Sequence, residues 1–156
     1  MATSGPRALC PPTLLFIAGL IVAAVLESQQ PMPLDRGGIT SMQIVAGLAS
    51  IGLGVGLFIW GLMTFFRART GIMLQQPARH LVTAGPYGRS RNPQYVGFIA
   101  GYVGVTLLVN SLWALLLLPC VIGVLALLVI EPEERYLTNV FGHAYENYCR
   151  SVGRWI

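Results

Sequence analysis

Four apolar stretches follow one another along the chain: Leu9 to Leu26, Ile44 to Phe66, Tyr95 to Val109, and Leu112 to Ile130. A membrane-crossing helix needs roughly 20 apolar residues. The pattern therefore predicts about four transmembrane helices, the third of them short and leaning on its neighbours. Pro11-Pro12 lies near the start of the first stretch, where proline is tolerated. Asn110-Ser111 is the only polar break between the third and fourth stretches, so these two read as a tight helical hairpin. Beyond Ile130, Pro132 predicts the start of a new helix with Glu133 and Glu134 in its first turn. Leu137, Val140, Phe141, Ala144 and Tyr148 then recur at helical spacing, which predicts one amphipathic helix lying on the bundle or the membrane surface. The expected fold is all-α: an integral membrane helical bundle with a C-terminal amphipathic helix, forming one domain over residues 1–156. Within it, residues 1–66 supply two N-terminal helices, and residues 67–156 supply a polar loop, the hairpin and the C-terminal helix.

Composition agrees. The chain is 54% hydrophobic and 10% charged, against about 25% charged in ordinary soluble proteins. With 156 residues, a separate soluble domain does not fit beside the helices, so any chemistry must use helix ends and short loops. The first stretch could instead be a signal peptide flanked by Arg7. No clean small-x-small site precedes Glu27, and an uncleaved helix is expected.

The formal net charge is +4, and every basic residue is an arginine. The arginines are spread over loops and form no basic stripe with interleaved aromatics, which argues against nucleic acid as a partner. Their placement sets the orientation. Arg67, Arg69, Arg79, Arg89 and Arg91 fall between the second and third helices, Arg135, Arg150 and Arg154 after the fourth, and Arg7 before the first. Only Arg36 falls on the other side. The positive-inside bias then places both termini and the 67–94 segment in the cytoplasm. Cys10, Cys120 and Cys149 form no CxxC pair, and the two histidines are far apart, so no metal site is expected. Cys120, inside an apolar run, is expected to be a packing residue.

GLGVG at 52–56 superficially suggests nucleotide binding, but that fingerprint needs a preceding strand. Here it lies within a predicted spanning helix. Gly52 and Gly56, and likewise Gly97 and Gly101, are GxxxG pairs expected to pack against neighbouring helices. The segment GPYGRSRNPQYVG, residues 85–97, is different. Arg89 and Arg91 taken singly are membrane anchors, and Asn92-Pro93 is a helix start. Yet Tyr87, Arg89, Arg91, Asn92, Gln94 and Tyr95 crowd hydrogen-bonding groups into one short stretch at a bilayer boundary. Glu133 and Glu134 fall on the same side. These two strips are expected to converge at the helix ends around a polar, charged ligand.

These residues carry a family resemblance. His80-Leu81-Val82, Gly85-Pro86-Tyr87, Arg91-Asn92-Pro93-Gln94-Tyr95-Val96-Gly97, then Glu133-Glu134, Leu137, Phe141-Gly142, Tyr145, Tyr148, Val152 and Arg154 stand in the order and spacing of a known pattern. The C-terminal half, from about residue 65, resembles the isoprenylcysteine carboxyl methyltransferases, which group with the phospholipid N-methyltransferases. The resemblance implies a membrane methyltransferase that uses S-adenosylmethionine without a Rossmann domain and acts on a lipophilic acceptor. By position, it implies cofactor contacts at Arg79, His80, Leu81, Val82, Tyr87, Asn92, Pro93, Gln94, Tyr95 and Glu133, with Glu134 the neighbouring candidate. Glu133 or Glu134 would hold the ribose or amino group, Tyr87 or Tyr95 would pack on adenine, and Arg89 or Arg91 would pair with the cofactor carboxylate. Glu133, Glu134 and Arg91 form the expected catalytic set. One departure stands out: the prenylcysteine enzymes carry an arginine just upstream of the acidic pair, where this chain has Val129 or Ile130. That weakens the case for a prenylated cysteine carboxylate as substrate.

Two other readings compete. A membrane reductase of the sterol-reductase type shares the R-x-P-x-Y-x-G region and binds NADPH, but usually has an acidic residue soon after it, where this chain has Phe98. A non-catalytic assembly or transport protein would use the GxxxG pairs for partner helices. NADPH binding would mark the first; stable hetero-oligomers without nucleoside binding would mark the second.

Overall fold

A computed structural model describes residues 11–68 and 80–156. It contains α1 (Pro12–Gln29), α2 (Ser41–Ala68), a 3₁₀ turn at Gly85–Gly88, α3 (Pro93–Val109), α4 (Leu112–Leu125), a π-helical turn at Ala126–Ile130, α5 (Glu131–Phe141) and α6 (His143–Ser151). Among the described residues, three helical stretches are long and apolar enough to cross a membrane: Pro12–Gln29, Ser41–Arg67 and Leu112–Phe141. The 17-residue α3 is equally apolar but shorter. The all-helical membrane bundle is thus as expected, including the short third helix.

The hairpin turn between α3 and α4 is set by Asn110, whose φ of 52° closes α3 in the left-handed region that asparagine tolerates. Its side chain accepts from the Asp35 amide (3.0 Å) and Gln43 Nε2 (3.0 Å) and donates to the Asp35 carbonyl (2.9 Å). Ser111 caps α4 by accepting from the Ala114 amide, and its hydroxyl donates to Glu27 at the end of α1 (2.6 Å). One polar cluster therefore ties α1, the α1–α2 connection and the hairpin together at this end of the bundle.

α2 lies along α3 with backbones nearly touching. A Cβ built on Gly54 would lie 2.5 Å from the Gly97 carbonyl oxygen, and one on Gly104 2.6 Å from the Gly47 carbonyl oxygen. The seam is therefore formed by Gly47 and Gly54 of α2 against Gly97 and Gly104 of α3, with Ser50 Oγ donating across it to the Ala100 carbonyl (2.7 Å). This corrects the expected pairing. Gly52 and Gly56 face open space, as does the Cβ direction of Gly101, so the GxxxG of α2 points away from the contact. The glycines that meet α3 recur every seven residues, the repeat that keeps one helix face towards a neighbour.

On the other side α1 packs on α4. Phe16 stacks near Phe98 and Tyr102, at centroid distances of 5.6 and 6.1 Å, and joins Leu118, Val121 and Leu125 in the buried core. Cys120 points outward from α4 and is exposed, so its expected packing role does not hold.

The C-terminal part also departs from expectation. Pro132 does not begin a new helix; α4 runs on through the π turn into α5 as one helical stretch. Proline lacks an N–H and its ring crowds the carbonyl four residues earlier. The widened turn accommodates this, with the Glu131 N–H reaching back five residues to the Ala126 carbonyl. The expected single amphipathic helix is instead two. Gly142, at φ 51° and ψ −127°, separates α5 from α6 in a conformation that suits glycine.

Candidate active site

The site lies at the end of the bundle opposite the Asn110 turn. Gly85, at φ 61°, starts the 3₁₀ turn that sets Tyr87 against α2, its ring edge-on to Phe65 at 5.1 Å. Gly61 of α2 makes room for this: a Cβ there would lie 3.0 Å from Gln94 Cγ and 3.5 Å from the Tyr87 hydroxyl. Pro93 then opens α3, so Gln94 and Tyr95 occupy its first turn. Asn92, just before it, is buried and turns its amide N–H onto Ser90 Oγ (3.1 Å).

The second strip meets the first directly. The Tyr95 hydroxyl donates to Glu133 Oε2 at 2.9 Å. Arg91 NH1 pairs with Glu134 Oε1 at 3.1 Å and donates to the Cys149 sulfur at 2.8 Å. Arg154 grips Glu134 with both arms of its guanidinium, Nε to Oε1 at 3.1 Å and NH2 to Oε2 at 2.6 Å. The chain beyond α6 returns across the turn: the Arg91 amide donates to the Gly153 carbonyl (3.0 Å), and Asn92 Nδ2 donates to the Arg154 carbonyl (3.1 Å). From α6, the Tyr148 hydroxyl donates to the Tyr87 carbonyl at 2.6 Å. Strips nearly forty residues apart in sequence thus share one cluster, as their composition suggested.

Burial governs the electrostatics. The Tyr87 phenol is pushed well above its ordinary value, first by burial and then by Glu133 and Tyr148. Tyr148 is raised to about 12 by burial, with Arg91 opposing and Cys149 adding to the shift. Tyr145 is raised by burial, Cys149 and Glu134. For Arg91, burial works against the charged form, but Glu134 and then Cys149 outweigh it and its pKa is raised. The cluster therefore holds neutral phenols and a charged Arg91 guanidinium at physiological pH. An open depression of about 530 Å³ adjoins Glu134 on the α5 side, lined also by Glu131, Arg135, Thr138 and Asn139.

Of the expected site residues, Tyr87, Arg91, Asn92, Pro93, Gln94, Tyr95, Glu133 and Glu134 come together here. His80 is exposed, and Leu81 and Val82 are half-buried in the lead-in to the turn. Among the described residues, no hydrogen bond or ion pair joins these three to the glutamates. Arg79 lies outside the described residues. Arg89 is exposed on the outside of the turn. Cys149, Tyr148 and Arg154 belong to the cluster but were not anticipated as site residues. Tyr148 and Arg154 carried a signal as positions of the family pattern, and Cys149 carried none.

A family profile described as phospholipid methyltransferase matches residues 42–144, which covers α2, α3, α4, α5 and the site elements they carry, but only the first two residues of α6 and none of the segment after it. The chain belongs to that family. It is also similar to the protein-S-isoprenylcysteine O-methyltransferase of Schizosaccharomyces pombe, 38% identical over 72 residues. That match covers 46% of this chain and 30% of the yeast protein, so the chain spans less than a third of the curated relative it matches. No solved structure gives a significant match. Membership of a methyltransferase family implies a methyl donor.

Proposed function

We propose that this chain is an integral membrane methyltransferase that takes its methyl group from S-adenosylmethionine and passes it to a lipophilic acceptor. The observation that carries the reading is the meeting of the 87–95 strip with the glutamate pair, through Tyr95–Glu133 and Arg91–Glu134, at one end of an apolar bundle.

The residues present suit the cofactor. Arg91 Nε is buried and has no hydrogen-bond partner among the described residues, which leaves a cationic donor for a carboxylate. The two glutamates differ in what they can still accept. Both oxygens of Glu134 are engaged by arginines, whereas Glu133 is bonded through Oε2 alone and keeps Oε1 for a ribose hydroxyl or an ammonium. Tyr87 and Tyr95, both buried, supply aromatic surface for adenine. His80, Leu81, Val82, Asn92, Pro93 and Gln94, with Arg79, form the rest of the proposed cradle.

When bound, the sulfonium supplies an electrophilic methyl group for in-line displacement by the acceptor. The protein's part is to align and to exclude water, and positioning of this kind accounts for several kcal/mol of barrier lowering. A carboxylate beside sulfur would stabilise the charged ground state more than the transition state. Glu133 therefore serves the ribose or amino end, where the Tyr95 hydroxyl fixes its orientation. A site at the helix ends gives a charged donor and an apolar acceptor each its own medium. The acceptor classes that suit it are a prenyl-thioether acid, a phospholipid amine, a thiol and an isoprenoid quinol. With the arginine distribution setting the orientation, the site and both termini face the cytoplasm.

The test is to incubate the purified protein in liposomes of total membrane lipid with methyl-labelled S-adenosylmethionine, and to identify label in the organic phase. Label in a lipid product, abolished by Glu133→Gln, is the expected result. Absence of label, with NADPH bound in place of the methyl donor, would overturn the reading.

A further inference from the structure

Arg91 has a full guanidinium fork, yet it meets Glu134 end-on through NH1 alone. The reason is Arg154. Its Nε and NH2 take one oxygen each of the same carboxylate, the side-on geometry in which a guanidinium holds a carboxylate most firmly. Glu134 has a single edge at which a fork can take both oxygens, and Arg154 holds it, so Arg91 reaches Oε1 from outside and keeps its Nε–H buried and without a partner among the described residues. The charges point the same way: two guanidiniums share one carboxylate, leaving the triad with a surplus positive charge. Arg154 is itself fixed in place, because its carbonyl accepts from Asn92 Nδ2 and the neighbouring Trp155 packs against the buried core.

We infer that Arg154 is a positioning residue that determines recognition of the donor's amino-acid carboxylate: by occupying both oxygens of Glu134, it keeps Arg91 Nε available for that carboxylate. Without Arg154, the Arg91 fork closes on Glu134 and its Nε–H is consumed internally. The inference rests on the proposed methyl donor, but it makes a separate claim about which part of the donor is read.

Two nucleosides separate the claims. S-adenosylhomocysteine carries the amino-acid carboxylate; 5′-methylthioadenosine has the same adenine, ribose and thioether but lacks it. Binding of each to the full chain in detergent is measured by calorimetry for wild type, Arg154→Met and Arg154→Lys. The expected result is a loss of about tenfold, or about 1.4 kcal/mol, for S-adenosylhomocysteine with Arg154→Met, and unchanged binding of 5′-methylthioadenosine. Arg154→Lys keeps the charge but not the fork and shows the same selective loss in smaller measure; it also answers the question if the methionine variant does not fold. Equal losses for both nucleosides, or no loss for either, would overturn the inference and leave the proposed function standing. Wild-type protein that binds neither nucleoside would overturn both.

Discussion

The glycine seam offers the sharpest test of the fold. A Cβ at Gly54 would sit 2.5 Å from the Gly97 carbonyl oxygen and 2.9 Å from the Gly101 nitrogen, where ordinary contact begins at 3.4 Å. Both obstacles are backbone, so no side chain can swing aside. Gly54→Ala must push α2 and α3 apart by nearly an ångström and stretch the Ser50–Ala100 hydrogen bond that crosses the seam. Overpacking of this kind costs about 1–3 kcal/mol. Gly52→Ala, two residues away, meets nothing within 4 Å, and alanine is the better helix former. It should be neutral or slightly stabilising. Thermal unfolding of detergent-solubilised protein, followed by tryptophan fluorescence and size-exclusion recovery, compares the two. Because α3 carries Gln94 and Tyr95 in its first turn, Gly54→Ala should also weaken S-adenosylhomocysteine binding. If Gly54→Ala melts with wild type, or Gly52→Ala is the more damaging change, the assignment of the packed face is wrong.

Two more outcomes follow from the site. Tyr95→Phe removes the hydroxyl that holds Glu133, and an intramolecular hydrogen bond contributes about 0.5–1.5 kcal/mol; the variant should lose nucleoside affinity in calorimetry while retaining its helical circular dichroism. Unaltered affinity would show that Glu133 needs no such support. Tyr148 should ionise near 12, and not near the ordinary phenol value of 10, in an ultraviolet titration of the folded protein. Its raised pKa means that its contribution to stability is complete below about pH 10 and disappears as pH rises through 12. Tyr148→Phe should flatten that part of the stability profile.

Much of this architecture could be read from the chain. The apolar stretches gave the helices, and Asn110-Ser111 gave the hairpin, because a lone polar pair between apolar runs can only be a turn at the bilayer edge. The density of polar groups from Tyr87 to Tyr95 pointed to the cluster in which the two strips meet, although each group taken singly also had a bland use as an anchor or a helix start. What failed were questions of facing. A GxxxG pair states that a helix can be approached closely, not on which side, and the seven-residue recurrence of Gly47, Gly54 and Gly61 was the better guide. Pro132 misled because prolines usually open helices, and a π turn leaves no local sequence mark. Tyr148 was counted as one apolar position on a helix face, and its hydroxyl became visible as a tether only once its backbone acceptor, Tyr87, was located.

The wide turn at Ala126–Ile130 absorbs one residue more than a regular helix would place there, and so sets the phase of the glutamates behind it. Each α-helical residue advances the azimuth by about 100°. Straightening the turn into regular helix with all its residues kept would advance Glu133 and Glu134 by most of that angle, away from Tyr95 and the two arginines, whereas losing one residue as the turn straightens would leave them almost where they are. A segment that looks like interchangeable aliphatic filler thus acts as a phase adjuster for the two glutamates.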